Sequence, residues 1–236
     1  MHQQKLKNSA LEIGDILYIT LDILSQKRQS LLLMLIGINV PLLLVGQLMP
    51  KSSGINFSFL IIYIVLNTLE WVALLVITEK TILDEKVTSK SALKQGFYKL
   101  RTLLFKLLVM WVIYVIFVGF GYILFVIPGI YIATTRYFFS EAIALRNTNF
   151  FESFQYSVNL VKGNFWKVFI LTILASTTSI IVATPTDFLP EFPVLETMFF
   201  IILELSLKII FYIVRIIITV SFLNLDYVRN GLPNRI

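Results

Sequence analysis

The sequence contains no cysteine and a single histidine, His2. Without thiols there are no disulfides, thiolate metal sites, cysteine nucleophiles or lipidated cysteines. With its one imidazole beside the N-terminus, the chain lacks the residue that Ser-His catalysis, haem ligation and histidine-based metal sites require. Asp15, Asp22, Asp84 and Asp226 fall outside the apolar runs expected to cross a membrane and Asp187 sits at the very end of one, which argues against a paired-aspartate intramembrane protease. Neither a Walker A motif nor a glycine-rich dinucleotide turn is present. The chain reads as non-enzymatic, with no cofactor and no metal.

Charge is also in short supply. Asp, Glu, Lys and Arg make up 14% of the 236 residues and apolar side chains 57%. Soluble domains average about 25% and roughly 45–50%. Mean hydropathy is +0.83. A soluble core of this size has no room for so much apolar surface, so the composition predicts an all-α integral membrane protein. The net charge of +6 sits mostly beside apolar segments, where it suits anionic lipid headgroups and not nucleic acid.

A spanning helix needs about 20 largely apolar residues, each rising about 1.5 Å through a hydrocarbon core about 30 Å thick. Stretches 31–49, 55–78, 103–127, 168–188 and 197–223 meet this directly. A sixth, 130–145, is shorter and carries Arg136 and Glu141. The first run begins only at Leu31, exceeds a signal-peptide core and has no A-x-A-like cleavage site, so it reads as a retained helix.

If 130–145 crosses, the basic residues fall on one side. Lys5, Lys7, Lys27 and Arg28 precede the first helix, and Lys80, Lys86, Lys90, Lys94, Lys99 and Arg101 lie between the second and third. Arg146, Lys162 and Lys167 lie between the fourth and fifth, and Arg229 and Arg235 follow the sixth. Lys51 and the acidic Asp187, Glu191 and Glu196 lie opposite. The positive-inside rule therefore predicts six crossings with both termini cytoplasmic. Pro128-Gly129, the connection between helices three and four, reads as a tight turn.

A shift of 61 residues places Leu93 on Phe154, Phe97 on Val158, Leu100 on Val161, Arg101 on Lys162, Phe105 on Trp166 and Lys106 on Lys167. Leu17, Leu21 and Leu24 repeat the apolar spacing ahead of Lys27 and Arg28. The expectation is one membrane domain over 1–236 with three repeat units, 9–78, 79–145 and 146–223. Each unit would be a transmembrane hairpin preceded by an amphipathic interfacial helix. Lys27, Arg28, Lys90, Lys94, Lys99, Arg101, Lys162 and Lys167 would then contact anionic lipid.

Ionisable groups inside a span cost on the order of 2.5–3.5 kcal/mol each at the helix centre, so they should face protein or water. Here they fall mainly on the second helix of each expected hairpin: Glu70, then Arg136 and Glu141, then Glu204, Lys208 and Arg215, while Lys106, near a helix end, is placed to snorkel. Glu204, Lys208 and Arg215 share approximately one helix face. Two readings stand: an internal ion-pair network that fixes packing, or a polar site that handles an ion, a proton or a lipid headgroup. Trp71, Trp111, Trp166, Tyr212 and Tyr227 read as interfacial anchors or packing residues.

The run Ile127-Pro128-Gly129-Ile130-Tyr131, then Arg136-Tyr137-Phe138, then Ser153, Ser157 and the stretch from Leu160 to Trp166 resembles the bacterial inner-membrane proteins of the YciC type. That family is related to the membrane domain fused to some glycerophosphodiester phosphodiesterases. The resemblance is densest over 103–169. It implies a multi-spanning helical domain of the inner membrane without an established activity. The soluble barrel of the fused phosphodiesterases, with its metal-binding acids and histidines, has no counterpart here. The expected role is an accessory or permease-like protein engaging lipids or a membrane complex. The alternative is a secondary transporter or channel with a charged central cavity.

Overall fold

The computed structural model describes residues 2–48, 57–183 and 194–231, and among them every regular element is helical. Helix α1 (His2–Asn8) leads into α2 (Ile13–Met34), which continues through a π-helical turn, Leu35–Asn39, into α3 (Val40–Leu48). Then come α4 (Phe57–Ile82), α5 (Ser89–Leu124), α6 (Val126–Thr135), α7 (Phe139–Arg146), α8 (Phe150–Val161), α9 (Phe165–Ala183) and α10 (Val194–Asn230). Among the described residues three stretches, Ile13–Val45, Phe59–Ile82 and Leu103–Ile123, are long and apolar enough to cross a membrane. The pair Phe150–Val161 and Phe165–Ser179, bent by 118°, makes a fourth if it counts as one span. Positions 49, 55–56 and 184–188 of the expected spans, with Lys51, Asp187, Glu191 and Arg235, lie outside the described residues.

α10 is the central post. Its 37 residues rise about 55 Å, and it touches α1, α2, the π-turn, α3, α4, α8 and α9. Every residue from 216 to 227 is buried, as expected of a helix apolar on all sides and surrounded by others. Within that run, Asn224 accepts from the Leu11 amide at 2.9 Å and donates to the carbonyls of Leu6 and Ser9, tying the α1–α2 turn to α10. α5 lies at the periphery. Phe105, Leu108, Trp111, Val112, Val115, Ile116, Phe120 and Ile123 are each more than half exposed. In water so continuous an apolar stripe would be a liability, whereas lipid tails solvate it.

Separate interfacial helices were expected ahead of all three hairpins. Only α8 stands apart from the helix that follows, because Gly163 adopts φ +88° between them. α2 passes Lys27 and Arg28 unbroken, and α5 runs unbroken from Ser89 to Leu124. Neither stretch contains proline, and Gly14 of α2 and Gly96, Gly119 and Gly121 of α5 all keep helical backbone. α5 starts from a reciprocal cap, Thr88 Oγ1 accepting from the Ser91 amide and Ser91 Oγ from the Thr88 amide.

The turn between α5 and α6 also departs from expectation. The chain reverses at Phe125, whose backbone is extended (φ −166°, ψ 147°). Pro128 sits in the first turn of α6, where its missing N–H leaves no helical bond unmade. Gly129 instead allows contact between α6 and α5: a Cβ there would meet the Tyr122 ring at 2.7 Å and the Tyr122 backbone nitrogen at 2.9 Å. Gly121 faces it, and a Cβ on Gly121 would lie 2.9 Å from the Gly129 Cα. Tyr114 donates to the Ala133 carbonyl at 3.2 Å, so α6 runs back antiparallel along α5.

The expected single helix over 130–145 is two short helices broken at 136–138. Ser157 of α8 bridges the break: its Oγ donates to the Thr135 carbonyl at 2.9 Å and accepts from the Phe138 amide at 3.0 Å. Backbone groups freed by the break are thus satisfied inside the protein, the condition under which broken helices persist in an apolar surround.

Candidate functional site

The π-turn 35–39 places Asn39 on the face of its helix that meets α4. The Asn39 amide donates to the Glu70 carboxylate at 2.6 Å and also to the Leu35 carbonyl at 3.2 Å. π-turns within longer helices recur at functional sites because they re-aim side chains. On the opposite side, the Tyr212 hydroxyl of α10 donates to the same oxygen, Glu70 Oε1. Glu70 is buried, and its second oxygen makes no hydrogen bond among the described residues.

One turn away, the buried Lys208 ammonium donates to Asn67 Oδ1 at 2.9 Å. The Glu70 and Glu204 carboxylates lie within electrostatic reach of it. Arg215 stacks over the Phe211 ring at 4.9 Å and lies within electrostatic reach of Glu141. Glu141 is buried and accepts from Ser140 Oγ at 2.9 Å. Of these groups Glu70 and Arg215 line a half-open cavity of about 250 Å³, together with Asn67, Trp71, Trp111, Ser140 and Tyr212, among others. The Trp71 indole nitrogen is buried and has no hydrogen-bond partner among the described residues.

Five of the six charged residues singled out in the sequence, Glu70, Glu141, Glu204, Lys208 and Arg215, therefore gather around α4, α7 and α10. Arg136 does not. It lies at the break after α6, its guanidinium over the rings of Phe117 at 5.4 Å and Phe154 at 5.6 Å. The break turns it toward α5 and α8, away from α10.

A second polar cluster was not anticipated as a unit. Arg146, at the end of α7, donates to Glu79 Oε1 of α4 at 2.6 Å and to Asp226 Oδ2 of α10 at 2.7 Å. Asp226 also accepts from the Tyr156 hydroxyl and, at 2.8 Å, from the Asn230 amide. Burial opposes the Arg146 charge, but Glu79 and Asp226 more than offset it, and the guanidinium is held more firmly protonated than usual. Tyr227 is buried and donates to Glu79 at 3.4 Å. Tyr212 and Tyr227 are thus internal donors and not interfacial anchors, because each faces a carboxylate across α4. Trp111 and Trp166 are exposed, as anchors would be.

The basic residues also divide. Lys27 donates to the Val87 carbonyl at 3.3 Å and Lys167 to the Leu11 carbonyl, so both ammonium groups tie segments together. Arg28, Lys90, Lys94 and Lys162 are exposed. The side chains of Lys99 and Arg101 lie outside those the structure describes.

Asn39 and Asn67 escaped the sequence reading, and Tyr212 was read there only as an anchor or packing residue, because uncharged polar residues in an apolar run carry little signal. The one available hint was Asn39 two residues before Pro41, where a helix loses a backbone donor. No curated protein and no solved structure matches the chain. The model of a domain of unknown function, DUF7847, matches residues 54–228. That range carries every acidic and basic residue of the α4–α10 cluster and omits only the π-turn that supplies Asn39. Because the match covers most of its length, the chain belongs to the DUF7847 family.

Proposed function

We propose that the chain is an integral protein of the cytoplasmic membrane, crossing it six times as three hairpins with both termini on the cytoplasmic side. Its role is non-catalytic: an accessory or permease-like protein that engages anionic lipid, or a membrane complex, through exposed basic residues. The observation that carries this reading is the inversion of polarity. α5 turns an unbroken apolar stripe outward, while Glu70 and Arg215 line an interior cavity and the buried Lys208 bonds Asn67 of its lining. Charged residues placed this way in membrane proteins face partners or a pathway. Kinship with the YciC-type proteins, carried by the run from Ile127 to Trp166, forms part of the same proposal.

The absence of native cysteine makes the test direct. Single cysteines replacing Lys90, Asn149 and Asn230 should all label from the cytoplasmic face with an impermeant maleimide. Labelling of Asn149 or Asn230 from the side opposite Lys90 would refute the six-crossing layout. In nanodiscs containing phosphatidylglycerol, exchanging Lys90 and Lys94 for Gln should reduce anionic lipid retained on the protein. Unchanged retention would refute the lipid-contacting role.

The cavity itself favours the second reading, a transporter or channel. A transport pathway requires the Glu70–Arg215 space to reach bulk water on each side in turn. Cysteines at Asn67 and Ser140 that label from neither side under any condition would exclude it.

A further inference from the structure

The α4–α10 cavity pairs unspent donors with a charge that nothing nearby neutralises by contact. Arg215 lines it and carries a guanidinium with five N–H donors. Among the described residues that group makes one ring contact, with Phe211, and neither a hydrogen bond nor an ion pair. Lys208, by contrast, is bonded to Asn67, and Arg146 is held by two acids.

Glu141 lies within electrostatic reach of Arg215, but its carboxylate is engaged by Ser140. Glu70 commits one oxygen to Asn39 and Tyr212 and lies within reach of Lys208. Among the described residues the nearby acids therefore act on Arg215 only through space, without an ion pair or hydrogen bond to its guanidinium. A second donor, the Trp71 indole N–H, is buried at the same cavity without a partner among the described residues. A buried donor without an acceptor is costly, and at this cavity one lies beside a half-buried guanidinium that has no hydrogen bond among the described residues, which together identify what is missing.

We propose that this cavity is an oxyanion-binding site, in which a phosphate or carboxylate group is held by the Arg215 fork and the Trp71 indole N–H. Guanidinium suits these anions because its planar donors match two oxygens at once. The volume of about 250 Å³ admits a lipid phosphate entering from the membrane or a small soluble anion. Trp111, lining the cavity yet 54% exposed, provides an apolar rim past which acyl chains can lie. The inference rests on the membrane reading above and deepens it by naming what the interior binds.

The chain has three tryptophans, and two of them, Trp71 and Trp111, line the cavity, so its own fluorescence reports occupancy. Full-length protein in a neutral sugar detergent would be titrated separately with dihexanoylphosphatidic acid, inorganic phosphate and acetate. Dihexanoylglycerol, which lacks the anion, is the control. A saturable fluorescence change with a rise in Tm is expected for at least one anionic probe and not for the control. Response to the lipid alone identifies a headgroup site, and response to the free anions identifies a soluble ligand. Both outcomes support the proposal.

Arg215→Gln should weaken binding about 10-fold or more, the worth of a charge-assisted hydrogen bond. Trp71→Phe keeps the ring, removes the N–H and should weaken it about 3- to 10-fold as read by the Tm shift. This second variant keeps the test open if Arg215→Gln fails to fold. No saturable response to any anion would overturn the proposal, as would a response undiminished in both variants. In the latter case a loss of response on exchanging Lys90 and Lys94 would place the binding at the surface, leaving the lipid-engaging role intact.

Discussion

Arg146 joins three helices at one end of the bundle, and its removal should be the most damaging single polar substitution outside the cavity. Its guanidinium bonds Glu79 of α4 at 2.6 Å and Asp226 of α10 at 2.7 Å, and the Asp226 side chain is only 2% exposed. Charge-assisted hydrogen bonds contribute about 1.5–3 kcal/mol each. Deleting one member of a buried ion pair costs about 3–5 kcal/mol, because the survivor keeps its charge without its partner. Asp226 still receives Tyr156 and Asn230, which places Arg146→Met near the lower end, about 3 kcal/mol. In a chain of this size about 1 kcal/mol corresponds to about 2–4 °C in Tm, so thermal unfolding in detergent, followed by circular dichroism, should shift down by about 6–12 °C. Adding Asp226→Asn to Arg146→Met should recover about 1–2 kcal/mol by removing the stranded carboxylate. A loss below about 1 kcal/mol, or a double variant as unstable as the sum of the singles, would refute the argument.

Three further outcomes are expected. Gly129→Ala should cost about 1–3 kcal/mol by overpacking, since its Cβ would meet Tyr122 backbone at 2.9 Å, whereas Gly119→Ala, with nothing within 4 Å, should be neutral or stabilising; equal Tm values for the two would disprove the close approach. Tyr212→Phe and Glu70→Gln should be coupled by about 1 kcal/mol or more in a double-mutant cycle, because the hydroxyl donates to that carboxylate; simple additivity would count against the bond. Burial, and then the bond to Asp226, pushes ionisation of the Tyr156 hydroxyl above its ordinary value of 10.0. Its contribution to stability is therefore complete below that pH and lost as pH rises through the raised value. Tyr156→Phe should flatten the alkaline fall in Tm, and an unchanged slope would show that the group does not titrate with folding.

Much of the site was legible from the chain alone. Glu70, Glu204, Lys208 and Arg215 stand out because charge inside an apolar run has a cost that only burial against protein or water can meet. Their spacing on α10 follows from helical periodicity. Their neutral companions were not legible, since Asn39, Asn67 and Tyr212 are tolerated almost anywhere in a helix and acquire meaning only from what they face. Arg136 satisfied the same sequence criterion as Arg215 yet points elsewhere, because the break at 136–138, bridged by Ser157, turns it onto Phe117 and Phe154.

Helical character and apolar runs of membrane-spanning length were determined by the sequence itself, because local hydrophobicity and backbone hydrogen bonding act over one helix at a time. Tertiary structure alone decided that the α5–α6 reversal falls at Phe125 and not at Pro128-Gly129, since Gly129 is needed for contact between helices and not for the turn. It alone decided that Arg146 is a three-helix tie and not a loop charge. Those outcomes depend on distances between residues far apart in the chain, which no periodicity along one segment encodes.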